Sequence, residues 1–571
     1  METVQATDVR PWTKLYQGFA DDIVVPDTTM YEQVAESARK WPKLTALIYM
    51  GKRLSYEQLL ENIDHCAAGM LAQGIKAGDT VTLVMPNVPN TLVVFYALNR
   101  IGVRVAMVHP LSSPAELKHY LQQTNSTMAV TMDMFYPKLD EIIDDTVVKK
   151  LLICHFSDYL SNPKKVGFKI TKGRKIAKVP ANDTRVINWK EFMAKGSAVP
   201  PYTRSIDPQA PTVILFSGGT TSMPKGVELS SVAFNALALS MHEITGFTVG
   251  DSVLAILPLF HGFGLGLCVH TALVVGAHPI LVPEFSAKIY IDNLLKHQPS
   301  FIAGVPTLFQ ALLQHEKFAK VSFANLHGAY SGGDSLTPDL KARFDEAIIK
   351  QGGSVELMEG YGLTESVTAC AISPRKLYKD NSIGVPIPGM LMKVVDPVSA
   401  EAIPNGEDGE FCVTGPTLMN GYLNEPEATA QTLRKHADGR VWLHTGDIGS
   451  MDDDGYFYFK GRQKRIVKVS GVSVYPAQVE QVLEAHPAVR QACVIGIPDN
   501  YQLSALKAFI VLNDGVEEDE HLRHKIVQHC KAHLIKWAVP RTIEFRRELP
   551  TTLVGKTAYT QLEQEEMAAR G

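Results

Sequence analysis

Short apolar runs recur along this chain, with stretches of helical period between them. "TVTLVMP" at 80–86, "MAVTMD" at 128–133, "VILF" at 213–216, "SVLAILP" at 252–258 and "HPILVP" at 278–283 each have the length of a buried strand. Helical patterns occupy 54–74, 90–101, 113–122 and 231–245. Strands that are apolar on both faces need helices on both sides, so the alternation predicts an α/β fold with largely parallel sheets. At 571 residues the chain is too long for one core, and two or more domains are expected. From about 383 to 460 the texture changes. Strands such as "MKVVD", "GEFCVTG" and "GYFYFKG" stand between Gly, Pro, Asn and Asp turns, which predicts a β-rich subdomain. Beyond about 465 lies a small α+β unit, and the switch falls at "FKGRQKRIVKVSG". The expected division is a large N-terminal domain over 1–461 and a small C-terminal domain over 462–571.

Composition excludes several classes. The formal net charge of −4 gives no case for a nucleic-acid partner. Seven scattered cysteines, without C-x-x-C or paired Cys/His spacing, argue for a reducing, cytoplasmic setting and against a zinc site. The N-terminal "METVQATDVRPW" has no apolar core of a secretory signal, and no run reaches the length of a membrane span.

Residues 212–230 read "TVILFSGGTTSMPKGVELS". This is not the nucleotide-hydrolase P-loop, because Pro224 precedes Lys225 and Gly226 follows it. The alternating "GVELS" then reads as a strand, so the element is strand–loop–strand. Gly218 and Gly219 allow close backbone approach to an anion. Ser217, Thr220 and Thr221 add hydroxyl donors, and Lys225 adds a mobile positive charge. The pattern suits phosphate; a surface turn of small polar residues is the plainer alternative.

Further clusters follow in order. "LPLFHGFGLG" places His261 among apolar residues and glycines, where a histidine taken alone is more often a core residue, though it is also a catalytic candidate. "YSGGDSL" is a tight turn around Gly332 and Gly333, suited to backbone approach to a planar ring. "MEGYGLTES" gathers Glu359, Gly360, Tyr361, Thr364 and Glu365. Asp447 in "WLHTGDIG" offers a carboxylate that can accept both hydroxyls of a ribose. "GRQKRIVKVSGVSVYP" supplies Arg462, Lys464, Lys468 and Gly471, and "LPTTLVGKTAY" puts Lys556 behind Gly555. The segment "PKKVGFKITKGRKIAK" at 163–178 carries seven basic residues and no acid. It reads either as a solvated loop or as an electrostatic foot on anionic lipid.

In series, "SGGTTSMPKG", "YGLTE", "HTGD", "GRQKRIVKVSG" with "VYPAQVE", and "LPTTLVGK" resemble the adenylate-forming superfamily over essentially the whole chain. That superfamily includes acyl-CoA synthetases, luciferases and peptide-synthetase adenylation domains. The resemblance implies two α/β sheet subdomains plus a β-rich subdomain, with a mobile C-terminal domain. It implies ATP, Mg²⁺ and CoA, and a small-molecule carboxylic acid activated as acyl-AMP. By the same resemblance the loop at 217–226 holds the β- and γ-phosphates, and Glu365 is the Mg²⁺ ligand. Tyr361 stacks on adenine, with Gly332, Gly333, Glu359 and Gly360 around it. Thr364 donates to the α-phosphate, and Asp447 and Arg462 fix the ribose. Lys556 bridges carboxylate and α-phosphate. Lys464 is the pivot of a second closure that brings Lys468 and Gly471 to the thiol path. Three departures stand out: Ser222 where Gly is usual, Asp334 after the paired glycines, and "TAY" after Lys556. Glycines 262, 264 and 266 beside "IAGVPTLF" are expected to leave room for a long acyl chain. The stretch from 163 to 192 resembles the basic insertion of bacterial long-chain fatty acid synthetases, which implies the inner face of the membrane. A medium- or long-chain fatty acid is therefore the expected acid. An aryl or steroid acid, a carrier-protein acceptor and a member that binds nucleotide without turnover are the alternatives.

Overall fold

The computed structural model describes residues 10–16, 18–160, 179–180, 182–196, 206–217, 224–284, 286–374, 376–470, 472–499, 503–552 and 556–570. Each of the five apolar runs contains a strand, and all five belong to two sheets. In the eight-stranded sheet, Arg104–Val108, Thr80–Val84, Met128–Met132, Lys150–Cys154 and Val186–Asn188 run parallel in that order. Pro211–Phe216 joins Arg104–Val108 in parallel, and Gly226–Ser230 folds back antiparallel on it. The strand–loop–strand expectation for 212–230 therefore holds at both of its strands.

The nine-stranded sheet runs parallel through Thr45–Tyr49, His278–Leu281, Ser252–Ala255, Phe301–Gly304, Gly328–Gly332 and Leu357–Tyr361. Short antiparallel strands close its edges. Helices fill the space around both sheets because their sequences specify starts as well as faces. Thr29 with Glu32, Ser55 with Gln58, and Ser113 with Glu116 each form a reciprocal capping box. Each satisfies two backbone donors that a helix start leaves open. Helix Pro89–Arg100 is buried almost all round, as expected of an element packed on both sides.

The β-rich part is an antiparallel five-stranded sheet of Leu391–Val395, Gly409–Thr414, Val441–Met451, Leu433–Lys435 and Phe457–Arg462. After Arg462 come a short turn and the hairpin Val467–Val469 and Val472–Val474. The C-terminal unit is a three-stranded sheet of Val489–Asp499, Leu503–Leu512 and Thr542–Arg546. Its cores are separate from the large one. One face packs Val479, Leu483, Ile510 and Ile526, and the other packs Ile495, Phe509 and Leu562. The large core instead runs continuously from Trp12 to Phe457. No helix among the described residues is long and apolar enough to cross a membrane. The basic segment 163–178 lies outside the described residues.

Candidate active site

Parallel strands expose free backbone groups and loop starts at their carboxyl ends, which is where α/β sheets hold ligands. Here the ends of Phe301–Gly304, Gly328–Gly332, Leu357–Tyr361 and Pro211–Phe216 open into one cleft of 1610 Å³. The five-stranded sheet and the C-terminal unit close its other side. Ser217, Lys225, His261, Gly332, Gly333, Glu359, Gly360, Tyr361, Thr364, Glu365, Asp447, Arg462, Lys464 and Lys556 all line this space. Lys468 is exposed on its hairpin and does not line it. Gly218, Gly219, Thr220, Thr221 and Gly471 lie outside the described residues.

The floor is held by hydrogen bonds that cross between sheets. Asp447 and Arg462 are register partners on adjacent strands. Arg462 Nε lies 3.3 Å from Asp447 Oδ1, and the Tyr361 hydroxyl donates to Asp447 Oδ2 at 2.6 Å. Burial raises the Asp447 carboxyl, while Arg462 and Tyr361 oppose that rise. Its Oδ1 takes no hydrogen bond although it is buried, so it is an acceptor prepared for an incoming hydroxyl. Glu410 supports the preceding loop, accepting from His444 Nδ1 at 2.8 Å and from the Gly446 N–H at 2.9 Å. Glu359 is buried and accepts from the Leu336 N–H at 3.0 Å, which fixes the turn around Gly332 and Gly333. Burial pushes its carboxyl up to about 8.

Thr364 and Glu365 occupy a short helical turn that ends in strain. Val367 has φ +65° and ψ −58°, and the Thr368 N–H donates to the Ser366 carbonyl at 2.8 Å. This is the rarer, strained hand of the γ-turn, placed on a β-branched residue. The surroundings enforce it. Val367 is fully buried, and a Cβ on Gly262 would lie 1.6 Å from its carbonyl oxygen. Strain of this kind concentrates where side chains are aimed at a ligand.

The phosphate end shows what the sequence reading missed. Tyr422 donates its hydroxyl to Glu365 Oε1 at 2.8 Å, and Lys225 Nζ sits 4.8 Å from its ring centroid. Lys225 Nζ also lies 3.2 Å from Glu425 Oε2. "NGYLNEP" at 420–426 carries both partners as an ordinary turn. Only the pairing of Gly421–Tyr422 with Gly226–Ser230 brings it against the loop.

Lys556 comes from the C-terminal unit. Its backbone forms a closed pair with Thr552, through Thr552 N–H to Lys556 O at 2.7 Å and Lys556 N–H to Thr552 Oγ1 at 3.1 Å. The side chain then passes over Gly333, whose φ of +86° favours glycine and whose Cβ would meet Lys556 Cε at 3.3 Å. Burial lowers the ammonium from its ordinary value. His261 is depressed to about 4 by burial, with Lys556 adding to the effect. Its Nδ1 accepts from the Phe263 N–H at 3.2 Å, so the ring is a neutral Nε2–H donor at neutral pH. His261 therefore stands in the cleft as a neutral donor beside the lysine.

Glycines 262, 264 and 266 do not leave room for substrate. A Cβ at Gly264 would lie 2.2 Å from the Pro258 carbonyl, and one at Gly266 would lie 2.8 Å from Leu237. They allow the wide helical turns of Phe263–His270 to press against their neighbours. Phe260, Phe263, Leu267, Pro306 and Tyr330 are among the residues that give the cleft apolar surface.

The sequence and the fold both have counterparts among known proteins. A family model described as AMP-binding enzyme matches residues 34–423, and the AMP-binding enzyme C-terminal domain matches residues 478–556. The chain belongs to the AMP-binding enzyme family. Among AMP-binding enzymes it is 31% identical to the long-chain-fatty-acid–CoA ligase of Bacillus subtilis (strain 168), over 98% of both chains. It is also 31% identical to the ligase of the same name from Haemophilus influenzae, over 95% of this chain and 96% of that one. In fold it resembles the anthranilate CoA ligase AuaEII in complex with anthranoyl-AMP. That likeness has a TM-score of 0.83 at 23% identity and covers 96% of this chain and 99% of the other. ATP-bound MatB from Rhodopseudomonas palustris follows at a TM-score of 0.80 and 23% identity, covering 94% and 99% of the two chains. As an AMP-binding enzyme, the protein gathers most of its expected site residues in a single cleft.

Proposed function

We propose that this enzyme activates a long-chain fatty acid with ATP, releasing pyrophosphate, and passes the acyl group to CoA. A carboxylate resists attack by a thiol because it is anionic and its oxygen leaves poorly. Joining it to AMP supplies a leaving group, at the cost of bringing two anions together. Catalysis is then mostly positioning and charge neutralisation. The buried Asp447 Oδ1, which takes no hydrogen bond although it is ion-paired with Arg462, supports its role as the ribose acceptor, and Tyr361 holds the other carboxylate oxygen. Tyr361 and the turn of Gly332, Gly333 and Gly360 would receive adenine. Glu359 would lie near its exocyclic amine. Ser217, Lys225 and Thr364 would hold phosphate oxygens, and Lys225 must exchange Glu425 for them. Lys556 would bridge the acyl carboxylate and the α-phosphate while they react. The oxygen donors of Glu365 suit a hard cation, so this residue fits as the Mg²⁺ ligand. When bound, Mg²⁺ offsets phosphate charge.

The single observation that carries the reading is the passage of Lys556 over Gly333 into the cleft that Asp447 and Glu365 also line. Lys468, outside that cleft, supports a second closure about Lys464 in which it would face the thiol path. The expected boundary at 461/462 falls just before that pivot, at the last residue of the strand Phe457–Arg462. Relatives named for long-chain fatty acids cover the chain end to end, and Phe263, Leu267 and Pro306 give the cleft an apolar wall. A panel of acids assayed for CoA-dependent pyrophosphate release tests the assignment. Highest kcat/KM for long-chain acids is expected, and release without need of CoA would turn the reading toward a different acceptor. An aryl acid is the second reading. It is favoured by a 28% identical relative named probable 4-coumarate–CoA ligase 1 from Dictyostelium discoideum. Peripheral attachment to anionic membrane rests on the basic segment alone.

A further inference from the structure

The five-stranded sheet carries a second polar cluster beside the nucleotide floor, and two of its residues, His444 and Glu410, also border the cleft. Cys412 and His444 are cross-strand partners, so their side chains share a face. His436 enters the same face from the connection between Leu433–Lys435 and Val441–Met451. The three ligand-type atoms all lie within 4.8 Å of one another, with Cys412 and His444 buried and His436 half-buried. His436 Nε2 and His444 Nε2 are 2.9 Å apart.

We propose that Cys412, His436 and His444 bind a divalent ion of the zinc class. One thiolate and two imidazoles form a borderline-soft donor set of the kind zinc takes. The second ring nitrogen of His444 settles its tautomer. Nδ1 faces Glu410 Oε2 at 2.8 Å, and a carboxylate only accepts, so Nδ1 carries the proton and Nε2 of the neutral ring presents its lone pair to the cluster, where it accepts from the Nε2–H of His436 until an ion displaces that proton. A histidine ligand backed by a carboxylate is the usual outer arrangement of a metal site. Tetrahedral zinc would set neighbouring donors roughly 3.3–3.7 Å apart. The His436–His444 pair must therefore open by a few tenths of an ångström, and His436 stands on a turn that can yield. Lys393, opposite Cys412 on the next strand, brings a positive charge near. Its Nζ is held 4.0 Å from the Trp442 ring centroid and 4.0 Å from Asp438, which offsets that charge. Glu410 also accepts the Gly446 N–H, so the bound ion would brace the loop that leads to Asp447.

Cobalt titration of the chelator-treated, full-length protein tests the site. One equivalent should produce a thiolate-to-cobalt charge-transfer absorption that zinc then displaces. Cys412→Ser should abolish the band and His436→Ala should remove or greatly weaken it. Glu410→Gln should lower affinity about 10–100-fold. Zinc should raise the melting temperature of the wild type and not of His436→Ala. Should Cys412→Ser fail to fold, His436→Ala on its half-buried turn still decides. Absence of the band at one equivalent, or a band of full strength in His436→Ala, overturns the proposal.

Discussion

The ribose floor and the lysine arm meet in one cleft but are built in opposite ways. Tyr361 ends a strand of the nine-stranded sheet, and Asp447 and Arg462 lie on adjacent strands of the five-stranded one. These strands share the continuous large core, and the floor's carboxylate is already held from two sides. Lys556 instead follows Thr552 on a unit with its own cores, and it reaches the floor by its side chain alone. The difference separates binding from chemistry. A pre-organised floor costs no reordering when nucleotide arrives, whereas the arm can leave once the adenylate has formed.

The sharpest way to break the comparison is Lys556→Ala. Adenylation should fall by about 10²–10³-fold, in line with the loss of a preorganised charge at the reacting oxygens. Thioester formation from synthetic acyl-AMP and CoA should stay within about threefold of wild type. Equal loss of both half-reactions would show that the arm never leaves. Asp447→Ala comes next. Two charge-assisted hydrogen bonds to ribose, each worth about 1.5–3 kcal/mol, would be lost, so ATP affinity should drop about 10²–10⁴-fold. A 2′,3′-dideoxy analogue should bind the mutant about as well as ATP does, and full discrimination by the mutant would displace Asp447 as the ribose ligand.

Tyr361→Phe probes the floor's internal support rather than its contact with ligand. The KM for ATP should rise about fivefold with kcat held, since one hydrogen bond of roughly 1 kcal/mol is lost. The smallest effect concerns protons. Burial raises both Glu359 in the floor and Glu484 in the C-terminal unit to about 8, from an ordinary value of 4.5. Between those values the folded protein binds more protons than the unfolded chain. The stability from these groups is therefore full below about 4.5 and is lost as pH rises through about 8. Glu359→Gln should flatten part of that decline in melting temperature with pH and leave the part due to Glu484. An unchanged slope would place the floor's carboxyl in its ionised form.

The sequence by itself determined the layers and the order of the motifs. Apolar runs such as "TVTLVMP" and "MAVTMD" became neighbouring parallel strands because burial on both faces leaves no other partner. Helix starts such as Ser113 with Glu116 were legible because capping is local. The chemistry-bearing residues were legible for the same reason, each lying within a few residues of its motif. What the tertiary structure alone decided is pairing across sequence. Tyr422 against Glu365 and Glu425 against Lys225 are set by an edge strand of the eight-stranded sheet. Glycines 262, 264 and 266 looked like open space and are filled by Pro258, Leu237 and Val367. The gathering of Cys412, His436 and His444 has no local spacing to announce it, because a β-sheet sets neighbours by register between strands that lie far apart in the chain.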